Sequence, residues 1–433
     1  MEEKLGLMKK IPKGYKETEI GVIPKDWEVV ELKKAIDSTQ LGGNYPNSEI
    51  ESGLPLIKMG NIGRGNIDLT KIQYVSIKGI PKDKDLIHYG DVLFNTRNTL
   101  DLVGKVAIWR NELPRAYYNS NLMRMKFKKD FVSSNFYVNY LFNSRQSLDQ
   151  LKGFATGTTS VAAIYTRDLF KYKIVLPKLE EQIAIATVLS DTDALIEKLE
   201  KLIAKKKAIK QGAMQQLLTG KKRLPGFSGE WEVKKLGKIG ETYGGLSGKT
   251  KNDFDDGKYP YIPFMNIMSN PVIDLQYFDY VNIRSDEKQN KAIKGDLFFN
   301  GSSETPEEVG MCSVLQSDIP NLYLNSFCFG FRLNKDLKTD GLYLSYFFRS
   351  PMGRQLIFSL AQGATRYNLS KTNFMKLEIP YPDSAEQTAI ATILSDMDSE
   401  IEKLEQKRDK YIMLKQGMMQ QLLTGRIRIY ASN

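Results

Sequence analysis

The stretch "KQGAMQQLLTG" at residues 210–220 returns as "KQGMMQQLLTG" at residues 415–425, 205 positions later. A match at that distance decides the organisation of the chain, because it asks whether everything between the two is also written twice. It is. "WEVVEL" from Trp27 returns as "WEVKKL" from Trp231, "GDVLFN" from Gly90 as "GDLFFN" from Gly295, and "EQIAIATVLSDTD" from Glu181 as "EQTAIATILSDMD" from Glu386. Weaker matches fill the intervals: "PLIKMGNI" from Pro55 with "PYIPFMNI" from Pro260, and "YYNSNLMRMKFKKD" from Tyr117 with "YLNSFCFGFRLNKD" from Tyr323. So long a period excludes a solenoid. It reads as two tandem domains related by a pseudo-twofold axis.

Within each copy the texture changes. The first 150 or so residues carry Gly, Asn, Tyr and short β-prone runs such as "KIVLP", "DVLFN" and "LYLSYFF", separated by turn pairs, which predicts a mixed α+β globule with a sheet core. After Pro177 and after Pro382 come roughly 38 residues of Ala, Leu, Glu, Lys and Gln with almost no Gly, closed by Gly220 and Gly425. Those are helix formers with a helix stop. A mostly apolar stripe steps by four and three through Ile185, Leu189, Thr192, Ile196, Leu199, Ile203, Lys206 and Ile209, and through Ile390, Leu394, Met397, Ile401, Leu404, Arg408 and Tyr411. Such a narrow seam with lysine-rich flanks predicts two long helices, roughly 57 Å each, paired as an antiparallel coiled coil. The expected division is an N-terminal extension (1–22), a globule (23–178), a helix (179–220), a second globule (221–383), a second helix (384–425) and a tail (426–433).

Composition narrows the function. Lys and Arg number 62 against 51 Asp and Glu, a net charge of +11 with a pI near 9.2, which favours a polyanionic partner. The two cysteines, Cys312 and Cys328, and the single His88 cannot assemble a Cys/His zinc site or a disulfide framework. No apolar run approaches the ~20 residues of a membrane span, and "MEEKLGLMKK" at the N-terminus has no apolar run behind its lysines, so a cytoplasmic location is expected.

Catalytic motifs fail one by one. "YGGLSGKT" at residues 243–250 resembles a phosphate-binding loop but has Tyr243 where the first glycine belongs, and reads as a Gly/Ser turn with a solvated lysine. Pro382-Asp383 with Glu405 and Lys407 mimics a metal-dependent nuclease signature, yet Glu405 and Lys407 lie two apart on a helix and face different ways. No Pro-Pro pair exists for an amino-methyltransferase motif, and the copy lacking His88's counterpart excludes a repeated histidine triad. The recurring aromatics Tyr137, Tyr140, Phe142 and Tyr343, Tyr346, Phe348 read as core, and Trp27 and Trp231 as packing anchors.

Two Trp-Glu-Val starts, two helices opening on "EQ.AIA..LS" and two closing on "KQG.MQQLLTG" resemble the specificity subunit of type I restriction-modification enzymes over residues 27–425. The resemblance implies a DNA-reading chain without catalysis or cofactor. Each globule would be a target recognition domain for one half of an asymmetric bipartite site in double-stranded DNA. The helices would set the spacing and dock two modification (methyltransferase) subunits that bind S-adenosylmethionine, with restriction subunits using ATP and Mg in a full complex. The expected spacer and docking residues are Leu189, Ile196, Leu199, Ile203, Met214 and Leu217, and Leu394, Ile401, Leu404, Tyr411, Met419 and Leu422. No metal-ligating residue is expected.

Comparing the copies suggests where DNA is read, since a shared frame followed by divergence lets two half-sites differ. After "GD.LFN" the copies separate, giving Thr96, Arg97, Asn98 and Lys105 against Ser302 and Ser303. After the shared Asn-Ile, Arg64 stands against Ser269 and Asn270. In "ATGTTS" against "AQGATR" the candidates are Thr158 and Thr159 against Arg366. Rival readings are the specificity subunit of a methylation-only system, a coiled-coil assembly scaffold with incidental charge, and a cryptic nuclease or ATPase.

Overall fold

Pro177 and Pro382 follow the strands Lys173–Leu176 and Glu378–Tyr381 and release the chain into helices Leu179–Leu217 and Ser384–Leu422, each of 39 residues. The structure, a computed structural model, describes residues 11–76, 79–363 and 365–429; the first ten residues of the expected extension and the last four of the expected tail lie outside them. Asp383 caps the second helix, its Oδ1 accepting the Glu386 N–H at 2.9 Å. Three residues past each helix end stand Gly220 and Gly425, each with φ of +69°, the left-handed conformation that glycine adopts without steric penalty.

The chain forms two compact units, one of residues up to Leu199 together with those from Lys407 onward, the other of Glu200–Gln406. Each therefore holds one globule, the opening half of the helix that leaves it and the closing half of the other helix. In the first unit Glu181 pairs with Arg428 and Asp193 with Lys415. In the second, Glu386 pairs with Arg223, Asp398 with Lys210, Glu400 with Lys206 and Glu405 with Lys207. Rising numbers on one helix meet falling numbers on the other, so the segments run antiparallel inside each unit.

The first globule is built on an antiparallel sheet in the order Val106–Ile108, Val92–Asn95, Leu122–Phe127, Ile36–Leu41. A second sheet carries the parallel pair Pro55–Ile57 and Tyr117–Tyr118, and a third joins Thr156–Gly157, Ala162–Ala163 and Arg97–Asn98. The second globule repeats the plan: Cys312–Val314, Leu297–Asn300, Cys328–Leu333 and Gly240–Gly244 in the first sheet, the parallel pair Tyr259–Ile262 and Tyr323–Leu324, and Ser302–Ser303, Tyr367–Leu369 and Ala361–Gln362 in the third. Helices Asn135–Phe142 and Gly341–Arg349 bury the recurring aromatics Tyr137, Tyr140, Phe142, Tyr343, Tyr346 and Phe348.

Several shared letters are buried polar groups that satisfy backbone. Asn61 bonds Lys58 and Asp68, and Asn266 bonds Asp274 and Tyr277. Gln182 and Gln387 each donate to the carbonyl of the proline that precedes their helix, Pro177 and Pro382. Asp91 and Asp296 of "GD.LFN" hold Arg124 at 3.0 Å and Arg332 at 2.7 Å. A buried polar group without such partners would cost roughly 1–3 kcal/mol, which ties these letters to the fold in both copies.

One expectation needs correction. Ile209 is 47% exposed; past Lys206 the seam runs through Lys210, and the long stems of both lysines reach the facing carboxylates. Leu189, Leu199, Ile203, Leu217, Leu394, Ile401 and Leu422 are buried, while Ile196, Met214, Leu404, Tyr411 and Met419 are half-buried. They serve the helix pair and the globule cores, and the outward apolar residues of the helices are Leu179, Ile183, Val188, Leu202, Ile209, Met413 and Leu414. Finally, the extension is folded in part: Tyr15–Thr18 and Gly21–Pro24 form a hairpin, and the Tyr15 hydroxyl donates to the Gly425 carbonyl at 2.8 Å.

Glu386 is fully buried, held by Arg223 at 2.6 Å and by the Trp231 indole N–H at 2.8 Å. Arg223→Ala therefore strands a buried carboxylate, and urea unfolding should show a loss of about 3 kcal/mol; a loss under about 0.5 kcal/mol would mark the pair as a surface contact. Alanine at the helix stops should also discriminate. A Cβ on Gly425 would sit 2.5 Å from Pro24 and 3.2 Å from Trp27, whereas on Gly220 the nearest atoms, in Trp231, are 3.4 Å away. Both variants carry the left-handed penalty of about 1 kcal/mol, and Gly425→Ala should melt at the lower temperature.

Candidate nucleic-acid interface

Asn95 ends a core strand, and its Oδ1 accepts the Arg97 N–H, turning the chain out of the sheet. Thr96 is fastened to the neighbouring turn, its hydroxyl donating to the Asn121 carbonyl at 2.8 Å. Arg97 and Asn98 then pair with Ala162 and Ala163, the return strand of the hairpin whose tip carries Thr158 and Thr159. That hairpin requires Gly157, whose φ is +133° and whose added Cβ would lie 2.3 Å from the Val161 carbonyl. The Leu100 N–H donates to the Thr159 carbonyl at 3.2 Å, and Arg64 Nη2 donates to the Asp101 carbonyl at 3.2 Å. The three regions singled out in the first copy thus meet on one surface. Arg64, Arg97, Thr158 and Thr159 are exposed there, with Thr96, Asn98 and Lys105 half-buried.

The second globule brings two of its three regions together. Ser302 and Ser303 pair with Asn368 and Tyr367, next to Arg366 on the hairpin that turns at Gly363, φ +138°. Ser302 and Ser303 are themselves buried, at 8% and 7% exposure, and Ser303 Oγ donates to Glu308 at 3.1 Å. The Ser303 hydroxyl braces the loop after Asn300, while Ser302 borders the cavity beside it. Ser269 and Asn270 are exposed but lie elsewhere. The Ser269 hydroxyl returns to the Met265 carbonyl, and the Asn270 carbonyl takes Ser313 and Arg349. Arg349 is largely enclosed, and burial pulls its guanidinium down to about 10 while it donates to four carbonyls, those of Ile267, Met268, Asn270 and Cys312.

Beside the second hairpin opens a cavity of about 270 Å³ lined by Gly301, Ser302, Ser326, Phe327, Cys328, Phe329, Asn368, Leu369 and Lys371. Arg366 lies over the Phe327 ring at 5.4 Å. Sequence reasoning passed over Phe327, although "NSF" against "NSN" already put it opposite Asn121 within a shared frame.

The motifs rejected from sequence have structural employment. Lys249 of the Gly-rich stretch is an ion-pair partner, with its side chain only 3% exposed and its amine 2.5 Å from Glu287. The expected solvated lysine is therefore corrected: a buried ammonium needs a carboxylate, and it has one. Asp383 is a helix cap, and Glu405 pairs with Lys207. Among the described residues no cluster of His, Cys, Asp and Glu could hold a metal, and no helix is long and apolar enough to cross a membrane.

Residues 24–211 and 228–411 each match the family described as type I restriction modification DNA specificity domain. The chain is 28% identical over 435 residues to the putative type I restriction enzyme MjaX specificity subunit of Methanocaldococcus jannaschii, covering 96% of this chain and 97% of that one. The MjaVIII specificity subunit of the same organism is 33% identical over 233 residues, 51% of this chain and 54% of the relative. In fold it is similar to the S subunit of a type I restriction-modification system from M. genitalium, with a TM-score of 0.56 at 13% identity over 98% of this chain and 99% of that one. A second solved structure, described under complex assembly and conformational transition of the type I R-M system, gives 0.54 at 17% identity over 94% and 99%. With both copies of its repeat matched, this chain belongs to the type I restriction-modification specificity subunit family.

Proposed function

We propose that this non-catalytic specificity subunit reads an asymmetric, bipartite site in double-stranded DNA, one half with each globule. The observation that carries the reading is the loop cluster present twice on one frame with different side chains. The frame comprises "GD.LFN", the positive-φ glycine of the hairpin and the short third sheet. The side chains it presents are Arg64, Arg97, Asn98, Thr158 and Thr159 in one copy and Arg366 with its neighbours in the other. Arg offers paired donors to the two acceptors of a guanine edge, Asn offers a donor and an acceptor to an adenine edge in the major groove, and the hydroxyls and lysines suit phosphates. The excess of basic residues, 62 against 51, supplies the non-specific part of the affinity.

The long helices act as a ruler and as the frame on which two methyltransferase subunits dock, with S-adenosylmethionine on those subunits and ATP and Mg on restriction subunits where these are present. Work of this kind belongs in the cytoplasm. The outward Leu179, Ile183, Val188, Leu202, Ile209, Met413 and Leu414 are the apolar side chains available to such partners. A methylation-only system uses the same reading without a nuclease. A pure assembly scaffold would leave the paired loop clusters without a use.

Methylome mapping of cells expressing this chain with its methyltransferase subunit should return one motif whose two halves differ and are separated by unspecified bases; a continuous palindrome or scattered methylation would contradict the reading. Binding should fall by on the order of a thousandfold between 50 and 200 mM salt if about six phosphates are contacted. Removal of one heptad from each helix should shorten the unspecified gap and leave both half-sites as they were.

A further inference from the structure

We propose that Phe327 reads the C5-methyl group of a thymine in the second half-site, and that Asn121 stands at the corresponding place in the first globule with the opposite chemistry. The inference rests on the DNA-reading function above and adds which group on a base is recognised.

Phe327 is 56% exposed. Burying such a side chain is favourable, so a ring displayed to water forgoes that stabilisation unless something covers it. The display is not the slack of a loose loop. The Phe327 N–H donates to Asn325 Oδ1 at 2.9 Å and its carbonyl accepts the Gly301 N–H at 2.8 Å, which fixes the turn between strands Tyr323–Leu324 and Cys328–Leu333. The guanidinium of Arg366 sits over one face of the ring at 5.4 Å, and the ring borders the cavity of about 270 Å³ shared with Ser326, Asn368 and Lys371.

An apolar disc ringed by an arginine, a lysine and an amide matches a thymine in the major groove, whose methyl stands beside the O4 acceptor. Insertion of the ring between base pairs as a wedge would require both of its faces to be free. Arg366 occupies one, so the ring has an edge and a single face to offer, enough for a methyl group and too little for stacking between two bases.

The first globule holds the same turn with a different side chain. The Asn121 N–H donates to Asn119 Oδ1 at 3.3 Å, and its carbonyl accepts the Thr96 N–H at 3.0 Å, the bonds that Phe327 makes. There the frame presents an amide, suited to a donor and acceptor pair on a base edge. One position, apolar in one copy and amide in the other, makes the two half-sites differ by construction.

The test uses the full chain assembled with its methyltransferase subunits and duplexes in which each thymine of the second half-site is replaced in turn by uracil, which removes only the methyl. Methylation should fall by roughly fourfold or more at one position, the factor one buried methyl group carries. In Phe327→Ala that penalty should vanish, and in Phe327→Leu, which keeps an apolar surface, it should persist in part. A half-site without thymine, no penalty from any uracil in the unaltered complex, or an undiminished penalty in Phe327→Ala would overturn the proposal and leave DNA reading intact. So would loss of DNA bending in Phe327→Ala with base preference unchanged, which would mark a wedge. Methylation without any sequence preference would instead remove the DNA-reading function itself. Uracil acts on the unaltered protein, so the result stands even where a variant fails to fold.

Discussion

A carboxylate buried at the first turn of each long helix is the constraint on which the remainder depends. Glu181 takes the Trp27 indole at 2.9 Å and the Arg428 guanidinium at 2.6 and 2.8 Å; Glu386 takes Trp231 at 2.8 Å and Arg223 through two contacts of 2.6 Å. Each clamp gathers the first strand of a globule, the helix that leaves that globule and the chain just past the end of the other helix. A buried charge tolerates no missing partner, so the end of one helix is held beside the start of the other and the pair must run antiparallel. The guanidiniums also lie over the tryptophan rings, at 5.6 and 5.5 Å, and the stop glycines pack against those same rings. That is why the chain writes Thr-Gly twice: only a glycine turns left-handed against an indole and delivers an arginine three residues later.

Further along the helices the same economy recurs. Lys415 reaches Asp193 at 2.5 Å beneath Tyr140, whose hydroxyl donates to the same carboxylate at 2.7 Å, and Lys210, Asp398 and Tyr346 repeat the arrangement with the same distances. Burial, reinforced by the neighbouring carboxylates, raises the Tyr140 and Tyr346 hydroxyls above their ordinary range. They remain neutral donors at any pH the protein meets. Letters identical in the two copies therefore belong to the machinery that makes two equivalent units.

Much of this was legible in the sequence because repetition is a long-range signal. The repeat gave the two globules, the two helices and their stops, and the 3.5-residue seam gave their pairing. Its failure at Ile209 is instructive: periodicity marks a face but does not say that Lys206 and Lys210 will outcompete an isoleucine where aspartate and glutamate lie opposite. The candidate DNA-reading loops were legible as regions. Arg64, Arg97 and Thr159, far apart in the sequence, lie together in the first globule, while Ser269 and Asn270 stand apart from the other candidates in the second. Individual side chains were not legible, since burial decides them. Ser302 and Ser303 are polar and divergent yet buried, and Phe327, an apolar letter that any core would accept, is turned out. No composition rule distinguishes those cases; the strand pairing of residues 302–303 with residues 367–368 does.

If the two globules are interchangeable readers on an equivalent frame, giving both positions the same reader has a definite outcome. A chain in which residues 231–382 are replaced by a second copy of residues 27–177, expressed with its methyltransferase subunit, should methylate an inverted repeat. Both halves of that motif should be the half-site that the unaltered chain reads with its first globule. Retention of the original asymmetric motif would contradict the account, and so would methylation of a direct repeat.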